Sequence, residues 1–242
     1  MLGQLEATEE YNNAGALIGL DGENEELMGE VLGVLKKMNP LKRMRVMNKL
    51  TALPPASKGS RAEMEKHFHE LPAHIQEGLR KGELRLADTV IYSIKPVTSK
   101  TIKLFETQDD KQTGLRNISN AKLPKNQALL VSGIILLAGV AFENTPDQIM
   151  ATGYVGLEGH ASIANGQFDL KANKKQIVPE TSNNVFKTSN LHMVTAGYYK
   201  LANPRLIHDD ILIELTVELG TMTNIVPNTQ LWAGLHGTIT TP

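Results

Sequence analysis

Tyr198 to Pro242 reads YYKLANPRLIHDDILIELTVELGTMTNIVPNTQLWAGLHGTITTP. From Ile213 the run Ile213-Glu214-Leu215-Thr216-Val217-Glu218-Leu219 alternates apolar and polar residues, the period of a strand with one buried face. Gly220 to Asn228 is a connection, with Pro227-Asn228 as its turn signal. Thr229 to Thr241 is a second strand-forming run, rich in Thr, Leu and Ile, and it holds the only Trp. An unpaired edge of that length would invite aggregation, so this pair is expected inside a sheet. The rest of the chain is therefore read as a β domain closed by this pair, preceded by a helical, charge-polarised segment.

Working back from that pair, short strand candidates recur at turn-punctuated spacing. They are Thr89–Ile94, Thr101–Phe105, the apolar run from Ala128 to Phe142, Ala151–Leu157, His160–Ile163, Phe168–Leu170, Gln176–Val178 and Met193–Leu201. Asn165-Gly166 sits at a hairpin position. Gln108 to Asn120 is polar and reads as a loop. No segment of helical period separates these candidates, which favours an antiparallel sandwich or jelly roll over a parallel α/β sheet. Ala128–Phe142, ALLVSGIILLAGVAF, is the best membrane candidate, but it is shorter than the roughly 20 residues a spanning helix needs. A buried strand, or two strands meeting at Gly133, fits it better.

The segment in front has a different period and a polarised charge. Residues 1–30 carry Glu6, Glu9, Glu10, Asp21, Glu23, Glu25, Glu26 and Glu30 and no base. Residues 31–62 carry Lys36, Lys37, Lys42, Arg43, Arg45, Lys49, Lys58 and Arg61 and no acid. Two solvated helix faces that neutralise each other would explain this. So would a basic block that meets an anionic surface such as lipid headgroups or packaged nucleic acid. Glu25–Met38 has apolar residues at helical spacing, with acids first and lysines last, as the helix dipole favours. Leu41–Leu50 gives a second helix after Asn39-Pro40. Arg61 to about Glu70 gives a third, with Ser60 and Glu63 at capping-box spacing. A fourth runs from Ala73 to Lys81, after Leu71-Pro72. The expected division is a helical arm over residues 1–85 and a β-sandwich over residues 86–242.

At 242 residues, 41% hydrophobic and 21% charged, the chain can bury a sizeable core, and a net charge of −1 says nothing about partners. Without cysteine there are no disulfides, thiolate metal sites or cysteine nucleophiles. The first twenty residues lack the basic start and apolar core of a secretory signal. His67, Glu70 and His74 would share a face of an unbroken helix, but Pro72 interrupts it and no HExxH is present. His160, His192, His208 and His236 are isolated. Asp109-Asp110 and His208-Asp209-Asp210 lack calcium-loop spacing. Ser132-Gly133 is not a Gly-x-Ser-x-Gly elbow. Trp232 reads as core rather than sugar platform. No catalytic, cofactor or metal residue is expected; the candidate contact residues are the eight bases from Lys36 to Arg61.

Four stretches resemble the jelly-roll major capsid proteins of tailless icosahedral bacteriophages. They are Leu79-Arg80-Lys81-Gly82-Glu83-Leu84-Arg85-Leu86-Ala87-Asp88 entering Thr89–Tyr92, Gly114-Leu115-Arg116-Asn117 with Leu123-Pro124, the NGQFDLKANKKQIVP hairpin, and the closing NTQLWAGLHGTITT. The resemblance covers roughly residues 75–242 and carries over no site residue. It implies one antiparallel jelly roll that self-assembles into a capsid shell in the virion, after synthesis in the host cytoplasm. Other virion proteins, an internal membrane or packaged nucleic acid would be its partners. The chain departs from those members of the family that fuse two rolls. A carbohydrate- or receptor-binding sandwich and a cupin-like metal enzyme are the rival classes; the first wants an exposed aromatic platform, the second clustered histidines on facing strands.

Overall fold

The protein is described here from a computed structural model, which covers Asn39 and residues 60–188 and 195–242. Contacts divide the chain into two units, Met1–Ser57 and Lys58–Pro242. The expected helices over Glu25–Met38 and Leu41–Leu50 lie outside the described residues.

The second unit is mainly β. Eight strands run in chain order: β1 (Arg85–Pro96), β2 (Thr101–Lys103), β3 (Ala128–Val140), β4 (Gln167–Ala172), β5 (Lys175–Ser182), β6 (Tyr198–His208), β7 (Ile213–Glu218) and β8 (Thr229–Thr241). They form two four-stranded antiparallel sheets. Sheet A has the order β1-β8-β3-β6 and sheet B the order β2-β7-β4-β5. Side chains from both sheets share one apolar core. Leu129, Val131, Ile134 and Leu136 of β3 and Leu231, Ala233 and Leu235 of β8 are in it with Phe168 and Leu170 of β4 and Ile213, Leu215 and Val217 of β7. At its centre Phe168 lies 4.8 Å from Phe186 by ring centroids, and Tyr199 meets both rings edge-on.

β7 follows its sequence period: Ile213, Leu215 and Val217 are buried and Glu218 is exposed. β3 is buried at nearly every position because its second face is also covered. Helices α1 (Ser60–Lys66) and α2 (Ala73–Lys81), with Leu71 between them, lay Met64, Leu71 and Ile75 over Ala128 and Leu130 on the outside of sheet A. Between them a single 3₁₀ turn, Phe68–Glu70, gives way at Pro72, which cannot continue the helix. Gly82, at φ 77°, ends α2 in the left-handed cap that glycine adopts without strain. The described part of the expected arm is thus packed on the sandwich.

The apolar run from Ala128 forms one strand, Ala128–Val140, rather than two, with a bulge between Val131 and Gly133. Gly237, across from it, is close-packed: a Cβ there would stand 1.8 Å from the Leu130 carbonyl oxygen. Among the described residues no helix is long and apolar enough to cross a membrane.

Four expectations are corrected. Ala151–Leu157 is not a strand; it contributes only an isolated bridge, Val155 to Ala138. His160–Ile163 is not a strand either. A short helix, Ala161–Ala164, forms there and Asn165-Gly166 ends it instead of turning a hairpin. The hairpin between β4 and β5 turns at Asn173-Lys174, φ 48° and 63°. β6 starts at Tyr198, later than expected, and continues through Pro204 to His208.

Candidate functional site

Of the eight bases expected to meet an anionic surface, Lys36, Lys37, Lys42, Arg43, Arg45, Lys49 and Lys58 lie outside the described residues. Arg61 falls in the first turn of α1, and its side chain is likewise outside the description.

The bulge in β3 places Ser132 against β8. Its hydroxyl lies 3.2 Å from His236 Nδ1 and donates to the His236 carbonyl at 3.3 Å. The Tyr198 ring stands edge-on to His236, with 5.6 Å between centroids, and lies over Gly133, where a Cβ would meet the ring at 2.4 Å. Burial raises the Tyr198 phenol above its ordinary pKa; the Ser132 hydrogen bond opposes this and the charge of Glu63 adds to it. Serine beside histidine is nucleophile chemistry only if a substrate can reach the hydroxyl. Ser132 is 4% exposed, so this trio is a polar seam beneath α1.

A second polar cluster fixes the 104–127 loop on the edge of β1. Lys95 Nζ is 2.5 Å from Glu106 Oε2 and 2.8 Å from Asp109 Oδ2, and Arg116 Nη1 is 3.1 Å from Asp109 Oδ1. Asn117 completes the edge as a peptide would. Its side-chain amide donates to the Val90 carbonyl at 2.8 Å and accepts from the Tyr92 N–H at 2.9 Å. The group is a clamp of opposed charges on a strand edge.

The histidines are dispersed. His67 Nδ1 meets Glu70 Oε1 at 2.9 Å, with His69 at 3.7 Å, and His74 belongs to the next helix. His192 lies outside the described residues. Among the described residues no three His, Asp or Glu are grouped to hold a metal. Trp232 is half-buried and stacks on Tyr92 with 5.7 Å between ring centroids. The pocket lined by His160, Ser162, Ile163, Asn224, Ile225 and Thr229 holds about 10 Å³, the room of one water, and a wider, open hollow of about 390 Å³ lies over Asn165, Gly166, Gln167, Ser182, Glu218, Leu219 and Gly220.

What stands out is a surface at one end of the sandwich, where β3 ends and β8 begins. Phe142 is 83% exposed, Val155 59% and Val226 51%, and Val140 is also exposed. Backbone and side-chain contacts hold them at this end. Asn228 Nδ2 donates to the Phe142 carbonyl, the Ala141 N–H donates to the Asn228 carbonyl, and Val155 pairs with Ala138. Sequence reading missed this surface, because Phe142 closes an apolar run that otherwise goes inward. The Glu143-Asn144-Thr145-Pro146 that follows was the available sign that the run ends in solvent.

No protein-family model matches the chain, and no curated protein matches it.

Proposed function

We propose that this protein is a structural subunit of a viral capsid, self-assembling through a jelly-roll domain into an icosahedral shell around a genome and, in membrane-bearing particles, an internal bilayer. The observation that carries the reading is the strand order. β1 pairs with β8, β2 with β7, β3 with β6 and β4 with β5. That nesting is what one long hairpin with its bend at β4–β5, wound around a core, would give, and it supports a jelly roll of the kind found in viral coat, lectin and cupin domains. Within that group, the four stretches that resemble bacteriophage coat proteins favour the coat. The basic block from Lys36 to Arg61 is proposed to face the particle interior and contact lipid headgroups or packaged nucleic acid.

The rivals have less support. A cupin-like site needs histidines facing the space between the sheets. Here that space is filled by Phe168, Leu136, Leu235 and their neighbours, and His236 is on the outer face beside Tyr198. A sugar platform needs a free aromatic face, and Trp232 has Tyr92 stacked on it.

Electron microscopy and sedimentation of the purified full chain test the proposal. Closed symmetric particles, or rings of subunits that mature into them, are expected. A monomer at every concentration and salt would overturn it.

A further inference from the structure

The exposed apolar end of the sandwich asks for an occupant. Large apolar side chains gathered in the open at one end of a folded domain are a candidate interaction site. Phe142 is the most exposed large apolar side chain among the described residues, and Val140, Val155 and Val226 share its end of the molecule. The charges around it narrow the choice. Glu143, Asp147 and Glu158 belong to the same β3–β4 connection as Phe142 and Val155, and all three are exposed. Glu158 also accepts the Thr188 N–H at 3.1 Å, and the carboxylates of this connection disfavour an anionic bilayer or a phosphate backbone, so the favoured occupant is a protein that presents cations.

The opposite end of the same sandwich presents them. Ala121 accepts from the Ile213 N–H, Leu212 accepts from the Asn173 N–H, and Gln127 accepts from the Asp209 N–H, so residues 121–127, 173–175 and 209–213 meet at that end. Lys125, Lys174 and Lys175 are exposed there and Lys122 is half-exposed. Lys174 stands at the hairpin tip with φ 63°. The local acids are Asp209 and Asp210, and Asp209 already accepts the Asn126 N–H at 2.8 Å. One end is thus apolar with an acidic rim, and the other carries an excess of lysine.

We infer that Phe142, Val155 and Val226 form the head of a head-to-tail contact between copies of this chain, with the lysine-bearing turns of the next copy as its counterpart. The inference rests on the capsid reading and specifies which surfaces meet. A heterologous contact of this kind propagates, closing into a ring or running on as a filament according to its rotation. The apolar side chains supply the anchor and the opposed charges set register and association rate.

The test uses full-length protein and sedimentation velocity, with circular dichroism to check folding. Phe142 makes its contribution outside the core, so F142D should keep the wild-type spectrum. We expect F142D and V155D each to raise the concentration for half-association by about tenfold or more, as loss of an interface anchor does. E143K/D147K should associate poorly alone, and K174E/K175E likewise. Mixing the two charge-reversed proteins should restore mixed assemblies, because each then offers an end that matches the other. If wild type associates and F142D, V155D and the charge reversals associate equally well, the contact lies elsewhere and this inference fails while the capsid reading stands. If wild type never associates, the capsid reading fails first. If F142D instead abolishes flotation with zwitterionic lipid vesicles and leaves self-association intact, a membrane is the occupant and the inference is overturned.

Discussion

In sheet A the strands run 12, 13, 13 and 11 residues in the spatial order β1, β8, β3, β6. In sheet B they run 3, 6, 6 and 8 in the order β2, β7, β4, β5. Both sheets bury one face in the same core, but among the described residues only sheet A has helices on its other face. The consequence is written in side chains. β3 must be apolar on both sides, whereas β7 needs apolar residues only at alternate positions. Among the described residues, sheet A is the covered wall of the sandwich and sheet B the uncovered one.

The most damaging way to test that contrast is to place a charge on the outer face of each wall. Leu130→Lys puts an ammonium between β3 and Met64 of α1, at a residue with no exposed surface; we expect a loss of about 4 kcal/mol or more in chemical denaturation, or failure to fold. Thr216→Lys on β7 points the other way, and its cost should stay within about 0.5 kcal/mol. Equal costs would mean that the helices do not seal sheet A.

Backbone spacing offers a gentler version. Gly237→Ala forces a methyl against the Leu130 carbonyl, and overpacking against main chain should cost about 3 kcal/mol. Gly220→Ala, after β7, meets nothing within 4 Å and should change stability by less than about 0.5 kcal/mol. Asn117→Ala removes the two hydrogen bonds that finish the edge of β1. It should cost about 1–2 kcal/mol and raise aggregation on heating, since it exposes strand edge; an unchanged light-scattering onset would count against the clamp.

The smallest effect is in pH. Tyr154, packed against the Ile94, Leu115, Ala141 and Ile149 cluster and donating to the Ile149 carbonyl at 3.1 Å, has its pKa pushed up to about 12 by burial. The phenol loses its proton at a lower pH in the unfolded chain than in the folded one. Folded protein therefore holds the extra proton, and stability falls as pH rises from 10 towards 12. Tyr154→Phe should soften that alkaline decline and cost about 1 kcal/mol near neutrality, through the lost hydrogen bond. An alkaline decline as steep in the variant as in wild type would assign it to other groups.

The contrast between the walls was partly visible in the sequence. The alternation over Ile213–Leu219 and the unbroken run from Ala128 are its two signatures, and both became strands in the expected sheet type. Pro72 marked the helix break for the same local reason. What stayed hidden depends on distance along the chain. Asn117 finds Val90 and Tyr92 about 25 residues away by using a side chain in place of a peptide, and composition records that stretch only as polar loop. Asn165-Gly166 carries the strongest local hairpin signal, yet the turn is made by Asn173-Lys174, because the pairing of Leu170 with Val178 and Leu215 decides register. A lysine at positive φ is uncommon enough that no sequence rule would select it. Phe142 was hidden by its own run: hydrophobicity marks what can be buried, and only the end of the strand shows that this residue is not.

β8 adds a constraint on how the molecule is made. It is the second strand of sheet A in space, paired along its length with β1, from Arg85 opposite Thr241 to Pro96 opposite Gln230, and with β3 on its other side. Until Thr241 has left the ribosome, β1 and β3 have no common neighbour and sheet A has a gap in its middle. Pairings of such sequence separation form slowly. A nascent chain must therefore wait with the apolar face of β3 exposed, the condition in which larger β proteins aggregate. Closure of the sandwich and the arrival of β8 are therefore one event, and the core stays open until that strand has emerged.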